Sequence, residues 1–388
     1  MPRDLILISI SLFTWGVGEG MFIYFQPLYL ENWGANPVEI GAILSMMGIA
    51  MAVAQAPAGW LADRVGSRPV MWSSWILGTA AAVMMALAGS LTMFVAGLFT
   101  YGLTSFVVAP MNSYITSVRG KWSVERSLTV VSAIYHLGAV IGPVIGGLLA
   151  EALGLATVYR ISAVVFMVST MIVFTTRKAP REEIGEAHAG HPKLTANPRF
   201  MGLLGLIFIT MLALYLPQPL TSNYLQNVQG FTLGTIGTLG AVGSLGNAVI
   251  MLGLGHLSAP VGLMAGQVLV GLFALLMWRS ESVILFGLGY FFMGGYRLAR
   301  SMALASARAL VKPSEIGFAF GLVETGNAVS VIVAPLAAGF LYNQNPQSVY
   351  TVSLVLIGLV LVINFFLLPG RSTKTAIETT ARYEQQSE

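Results

Sequence analysis

Long apolar segments separated by short polar connections recur along the whole chain. Each segment is near or above the roughly 20 residues that cross a bilayer as an α-helix. We therefore predict an all-α polytopic membrane protein with twelve transmembrane helices. The first segment is too long for a secretory signal, and we expect it to be retained as a span. The segments are approximately 5–30, 38–60, 69–88, 91–113, 127–150, 155–176, 199–224, 233–254, 260–278, 282–305, 315–341 and 346–368.

Composition agrees with this pattern and excludes a soluble fold. Hydrophobic residues make up 56% of the 388 residues and charged residues only 9%, against about 25% charged in globular proteins. The formal charge is +4, but the basic residues stand singly in loops, so the sequence does not favour nucleic-acid binding. The chain has no cysteine, which excludes disulfide and thiolate chemistry.

The distribution of basic residues predicts the orientation of the spans. With the N-terminus inside, most of the 20 Lys and Arg residues fall in inner segments, and the outer connections hold only Arg160 and Arg279. Inner loops of membrane proteins carry such an excess. We therefore predict a multi-pass protein of the plasma (cytoplasmic) membrane with both termini in the cytoplasm.

The chain divides into two similar halves. We predict an N-terminal six-helix bundle over 1–176, a cytoplasmic linker over 177–198 and a C-terminal six-helix bundle over 199–370. The polar tail, 371–388, is expected to be disordered. His188 and His191 lie among acidic residues of the linker, but nothing there fixes a ligand geometry, so we predict no metal site.

Short internal repeats support two pseudo-symmetric bundles. Gly142-Pro143 in the fifth segment recurs as Ala334-Pro335 in the eleventh. Gly59-x-Leu61 recurs as Gly255-x-Leu257, with Ala259 where the first copy has Asp63. Such parallel repeats are a feature of many secondary transporters.

The connection between the second and third segments carries a charged motif. From Gly59 it reads Gly-Trp-Leu-Ala-Asp-Arg-Val-Gly-Ser-Arg, with Gly, Asp and basic residues at fixed spacing between two spans. It resembles the signature of the major facilitator superfamily, although an ordinary hairpin with two arginines is the alternative. The resemblance implies transport by alternating access, with Asp63 facing the inner start of the eleventh span. The implied conformational latch consists of Gly59, Asp63, Arg64, Gly66 and Arg68.

The fifth segment carries a glycine-proline motif that resembles the pattern of the drug/proton antiporter-like export branch. Its glycines allow close helix approach, and its proline allows a bend. Generic packing of small residues is the alternative, and Thr129 stands where the pattern has an earlier glycine. Leu98 replaces the arginine that proton-coupled members carry four residues before Gly102. The helix-bend motif comprises Gly138, Gly142, Pro143, Gly146 and Gly147.

Ionisable residues inside spans are costly in a bilayer and suggest function. We take five as coupling or substrate candidates. Glu19, on the first span between glycines, is the leading candidate for proton or cation exchange, with a buried packing role as its alternative. For His136, a hydrogen-bonded helix contact remains the alternative. For Arg297, Arg300 and Glu324, the alternative is a structural ion pair, and a pair of Arg297 with Glu324 is plausible. The candidates are Glu19, His136, Arg297, Arg300 and Glu324.

Polar and aromatic residues on the first, fourth, seventh and tenth spans are candidates for lining a substrate cavity. They would offer hydrogen bonds and aromatic surface, although helical spacing alone also places such residues by chance. The candidates are Tyr24, Gln26, Tyr101, Asn112, Gln218, Asn223, Tyr290 and Tyr296.

These features favour a secondary transporter of a small organic solute. Proton-coupled export of an amphipathic or drug-like compound is the leading hypothesis, and uptake of a sugar, organic acid or lipid is the alternative. A non-transporting sensor or assembly partner on the same fold also stays open. No phosphate loop, His-Glu-x-x-His motif or soluble catalytic cluster is present in the sequence, so we predict no enzyme and no cofactor. The expected partners are a small-molecule substrate, protons and the lipid bilayer, and we expect a monomer.

Overall fold

The computed structural model describes residues 1–177, 197–311 and 316–367, without the side chains of 56–63, 125, 199, 316 and 317. All regular elements in these ranges are helical. A single 3₁₀ turn over Thr104–Val107 joins two of the helices. The α-helices are α1 Arg3–Ile23, α2 Gln26–Asn32, α3 Pro37–Val65, α4 Ser67–Ala86, α5 Leu91–Leu103, α6 Val108–Ser117, α7 Val124–Leu153, α8 Leu155–Phe174, α9 Pro198–Tyr215, α10 Thr221–Asn227, α11 Leu233–Leu254, α12 Ala259–Arg279, α13 Val283–Phe292, α14 Gly295–Arg308, α15 Ile316–Gln344 and α16 Ser348–Leu367.

The polytopic all-α fold predicted from the sequence is confirmed, but the predicted count of twelve transmembrane helices is not matched within the described residues. Within the described ranges, ten helical stretches are long and apolar enough to cross a membrane. The seventh and tenth predicted spans are instead each built from two shorter helices, α9 with α10 and α13 with α14. The tail, the linker histidines and most of the linker fall outside the described residues.

Interruptions occur at corresponding places in the two halves of the chain, here called the N-terminal half (α1–α8) and the C-terminal half (α9–α16). The first span breaks between α1 and α2, and the seventh between α9 and α10. Proline accounts for the first restart, because Pro27 stands in the first turn of α2, where a missing N–H is tolerated. The fourth and tenth spans break around the 3₁₀ turn and between α13 and α14. A window of hydropathy passes over such short breaks, so the sequence did not show them.

The helix-bend motif of the fifth span packs α7 closely on α1. Three of its glycines, spaced four residues apart, lie on one face of α7 and against the α1 backbone. A methyl group at any of them would collide with an α1 carbonyl oxygen, so only glycine permits this approach. The pairs are Gly138 with Phe13, Gly142 with Val17 and Gly146 with Met21.

The two halves meet along α3 with α15 and along α7 with α11. Gly41 of α3 lies against the backbone of Pro335, and Gly339 of α15 lies against Pro37. Gly147 of α7 lies against Leu233 at the start of α11. These contacts are at the end of the bundle opposite the start of α1 and the end of α16, which we call the closed end.

Candidate functional site

Glu19, on α1 at mid-span, is held by tyrosines from two other helices of its half. The hydroxyl of Tyr135 on α7 donates a hydrogen bond to a carboxylate oxygen of Glu19, with 2.7 Å between the oxygens. Tyr101 on α5 lies near the same carboxyl group, close enough to interact with it electrostatically. The ring of His136 stands edge-on to that of Tyr135, with centroids 5.1 Å apart. Of these side chains only Tyr101 is fully buried; the others are half-buried.

Arg297 of α14 faces this group from the opposite half. Its guanidinium is close enough to interact electrostatically with Glu19, Tyr24, Tyr135 and His136. The Arg297 side chain is exposed, although α14 packs between neighbouring helices. We call Glu19, Tyr101, Tyr135, His136 and Arg297 the central cluster.

Glu324 forms its ion pair with Arg300, whereas the sequence pointed to Arg297 as a plausible partner. One carboxylate oxygen lies 2.5 Å from Nη2 of Arg300, and the other accepts a 3.3 Å bond from Nε. Arg297 and Arg300 are three residues apart, so they point about 60° apart around the helix. Similar height in the membrane was therefore not enough to choose between them.

Tyr24, just after α1, joins the two halves beside the central cluster. Its hydroxyl lies 3.1 Å from the hydroxyl of Ser244 on α11. Its backbone carbonyl accepts a 2.5 Å hydrogen bond from Ser222 on α10. Its ring lies 6.4 Å from that of Tyr290, measured between centroids. Tyr24 therefore sits where movement of one half against the other must break hydrogen bonds.

Two carboxylates of the N-terminal half bind the C-terminal half at the closed end. Glu31 accepts hydrogen bonds from the side-chain amides of Asn223, at 2.5 Å, and Asn227, at 2.8 Å. Glu151, near the end of α7, accepts a 2.9 Å bond from the backbone N–H of Gly234 in the first turn of α11. That position also suits a carboxylate because the start of a helix carries partial positive charge. We call these two contacts the carboxylate clasps.

The remaining cavity candidates differ in their surroundings. Tyr296 donates a 2.8 Å hydrogen bond to Asn327 of α15, so it joins two helices of one half. Gln218, in the break between α9 and α10, donates a 2.9 Å hydrogen bond from its side-chain amide to the carbonyl of Leu214 in α9. Gln26 is buried, and its amide nitrogen has no hydrogen-bond partner among the described residues. Asn112 is half-buried on α6.

A comparison of the chain with known families decides its class. The family model described as Major Facilitator Superfamily matches residues 8–263 and 259–384. The chain belongs to the major facilitator superfamily. Members of this superfamily are membrane transporters that bind small-molecule substrates, not enzymes. The resemblance inferred from the latch motif is thereby confirmed.

Curated relatives within the superfamily are distant. An uncharacterized MFS-type transporter, MJ1560 of Methanocaldococcus jannaschii, is 28% identical over 156 residues, which is 40% of either chain. The quinolone resistance protein NorA of Staphylococcus aureus is 22% identical over 183 residues, 46% of this chain and 47% of NorA. The chain thus spans less than half the length of these relatives.

A solved structure supports the fold over almost the full length. The nucleoside transporter NupG superposes with a TM-score of 0.81 at 14% identity, covering 94% of this chain and 98% of NupG. At this identity the likeness shows the facilitator fold alone.

The facilitator latch is only partly visible. Gly59 and Asp63 lie on α3, where the side chains are outside the described set. Gly66 separates α3 from α4 with a φ of +91°, a conformation that favours glycine. The Arg68 guanidinium covers the ring of Trp72 at 3.9 Å from its centroid. The contact of Asp63 with the eleventh span, and the state of Arg64 in the latch, stay predictions.

Several residues of this facilitator's site were not among those predicted. Tyr135 was next to a predicted candidate, His136, and its hydroxyl in a span was a usable signal. Glu31 and Glu151 each follow a predicted span by one residue, so they were not among the ionisable residues inside spans that the sequence singled out. Their partners lie in the other half, and a single sequence does not show such pairings.

Proposed function

We propose that the protein is a proton-coupled transporter of a small amphipathic, drug-like organic solute, with export as the leading direction. Glu19 is the coupling residue in this proposal. The observation that carries it is the placement of Glu19, a carboxyl group on α1 bonded to Tyr135 and facing Arg297 of the other half. A titratable group in that place experiences a different environment whenever the halves rock.

The physical argument concerns the environment of the carboxyl group. A charge is costly in hydrocarbon, and its cost falls where water, a cation or hydrogen-bond donors reach it. In the present arrangement Tyr135 supplies a hydrogen-bond donor, and Arg297 supplies positive charge. Reorientation of the C-terminal half would move Arg297 relative to Glu19, so proton binding and conformation would be linked.

Export is supported by the likeness to a quinolone resistance protein over 46% of this chain, and by the glycine-proline motif of α7. Uptake is the second candidate. Arg297 favours it, because a solute anion and a proton would offset the two opposite charges of the central cluster together. Given the predicted cytoplasmic termini, the closed end would be the outer side.

Flux into vesicles tests the proposal. Purified protein is reconstituted, and the movement of a quinolone and of a nucleoside is followed with and without an imposed pH gradient. We expect the gradient to drive accumulation by the wild type, and Glu19→Gln to abolish accumulation while binding persists. Glu281→Gln, in the exposed connection between α12 and α13, is the matched control.

Two outcomes contradict the proposal. Wild-type flux that does not respond to the pH gradient would exclude proton coupling. Complete gradient-driven accumulation by Glu19→Gln would remove Glu19 from the mechanism and direct attention to His136 and Glu324.

A further inference from the structure

The two arginines of α14 differ in how their charges are compensated. Arg300 is bonded through two nitrogens to the carboxylate of Glu324. Arg297, one turn earlier, forms no ion pair or hydrogen bond with any other described residue. A guanidinium presents five N–H donors in a planar fork that matches an oxyanion. Arg297 therefore has donors for which the described part of the chain supplies no acceptor.

The groups around Arg297 leave these donors available to a ligand. Glu19 lies within electrostatic reach, but its carboxylate is bonded to Tyr135 and not to the guanidinium. The hydroxyl of Tyr24 is bonded to Ser244. The hydroxyl of Tyr296 is bonded to Asn327. The protein thus holds an exposed cation between its halves, while the neighbouring polar groups form hydrogen bonds with other residues.

Aromatic side chains of both halves lie next to this cation. The ring of Tyr296, the residue before Arg297, lies 5.5 Å from that of Tyr215, measured between centroids. Tyr24 and Tyr290 form a second such pair. A solute with an apolar body and one anionic end would meet both kinds of surface.

We propose that Arg297 binds an oxyanion of the transported solute, such as a carboxylate or sulfonate, while the adjacent tyrosines contact its apolar part. The inference rests on the proposed transport function and specifies its substrate class. For coupling it favours uptake, the second candidate above, because a proton and an anion that stabilise each other's binding move in the same direction. An ionised Glu19 competes with the solute for Arg297, so a proton on Glu19 and an anion on Arg297 favour each other.

Other titratable groups of the described residues also face Glu19 and Arg297 and can contribute to this linkage. These groups are Tyr24 on the α1 side, Tyr101 on α5, Tyr135 and His136 on α7, and Tyr296 on α14. Of them, only His136 ordinarily changes its charge between pH 5 and 8. A His136→Gln variant therefore separates its contribution from that of Glu19.

Three probes with one ring system and different charge test the substrate class. Naphthalene-2-carboxylate, its neutral carboxamide and 2-naphthylmethylammonium are titrated onto the purified full chain, and affinity is measured calorimetrically without a pH gradient. We expect the carboxylate to bind best to the wild type. Arg297→Gln should weaken it roughly tenfold to a hundredfold, as for loss of a charge-assisted hydrogen bond. Glu19→Gln should tighten it, also in the His136→Gln background.

Arg279→Gln, at the end of α12 where the guanidinium covers Trp278, is the matched control and should leave the affinity unchanged. Equal affinity for carboxylate and carboxamide, absence of binding by all three, or full affinity in Arg297→Gln would overturn the proposal. These measurements need no transport. Failure of the oxyanion site is therefore distinct from failure of proton-driven flux.

A chemical reporter gives a second test that does not depend on how well a probe fits. Because the chain has no cysteine, Ser244→Cys introduces a single thiol beside Tyr24. The rates of its modification by the anionic sulfonatoethyl and the cationic trimethylammonioethyl methanethiosulfonates are compared. We expect Arg297→Gln to reduce the anion-to-cation rate ratio several-fold and Arg279→Gln to leave it unchanged. A ratio that does not respond to Arg297→Gln would contradict the inference.

Discussion

Two faces of α7 make close helix contacts through glycine, one contact within the N-terminal half and one across the two halves. On one face Gly146 lies against Met21 of α1, within the N-terminal half. On the other face its neighbour, Gly147, lies against Leu233 of α11, across the two halves. Alternating access requires the second contact to open while the first persists. Adjacent glycines in one helix are therefore expected to control different properties, folding in one case and conformational equilibrium in the other.

The two contacts differ in extent and in polarity. The α1–α7 contact repeats at three glycines over more than two turns, and it is braced by the bond between Tyr135 and Glu19. The α7–α11 contact is joined at its end by Glu151 and the Gly234 N–H. A backbone N–H at a helix start can be hydrated when the contact opens. The polar contact thus restrains the closed end without making it permanent.

The largest effect is expected at the permanent contact. Gly146→Ala would place a methyl group against the carbonyl of Met21 and force α1 away from α7. We expect a loss of stability of about 1–3 kcal/mol, the usual range for overpacking. Thermal unfolding of the purified protein measures this loss.

Gly253→Ala is the control, because a methyl group at Gly253 of α11 meets no atom within 4 Å. It should leave the melting temperature unchanged or raise it slightly, since alanine favours the helix. An unaltered melting temperature for Gly146→Ala would show that the α1–α7 contact is not the rigid one.

A smaller and different effect is expected across the halves. Gly147→Ala would place its methyl group 2.7 Å from the Leu233 carbonyl oxygen. The halves can relieve this contact by separating, so we expect normal folding but a shift toward the state that is open at this end. Spin labels at Leu153→Cys and Val228→Cys, both exposed positions flanking the contact, report the distance by pulsed electron paramagnetic resonance.

The same labels on Gly253→Ala should give the wild-type distance distribution. If Gly147→Ala lowers thermal stability as much as Gly146→Ala and leaves the distances unchanged, the proposed division between the two faces of α7 is wrong.

The sequence was sufficient for the class and the polytopic fold of the molecule but not for the breaks within its spans or for its cross-half contacts. Apolar length and the latch motif predicted the polytopic fold and the superfamily, because both are properties of contiguous residues. The position of Glu19 was also readable, since a carboxyl group within a span stands out by composition alone. Its bond to Tyr135 was not, because that bond depends on how α1 and α7 are rotated toward each other.

Two further contacts could not be chosen from the sequence, and the physical causes are identifiable. Glu324 pairs with Arg300 because rotation about α14 decides which arginine faces α15. That rotation is reset at the break before Gly295, so helical phase cannot be carried across from α13. Glu31 and Glu151 stand just past predicted spans, where an acidic residue ordinarily meets water. Their function arises only when the other half approaches.

The smallest effects are expected for the carboxylate clasps taken singly. Glu31→Gln keeps an oxygen that accepts from Asn223 or Asn227 but removes the charge, and Glu151→Gln does the same toward Gly234. A hydrogen bond to a charged group contributes about 1.5–3 kcal/mol and a neutral one about 1 kcal/mol. Each variant should therefore shift the closed-to-open ratio by roughly twofold to thirtyfold, and the double variant by more.

Glu39→Gln is a matched control at the same end of the bundle. Its carboxylate accepts a 2.9 Å bond from the backbone of Asn36, within one half, so it should not change when the halves separate. The spin-label pair on α7 and after α10 reads out the three single variants and the double variant. A shift for Glu39→Gln as large as that for Glu31→Gln would mean that carboxylates at this end act through their negative charge alone and not through specific hydrogen bonds across the halves. A shift confined to Glu31 and Glu151 would identify the contacts that the transport cycle must break.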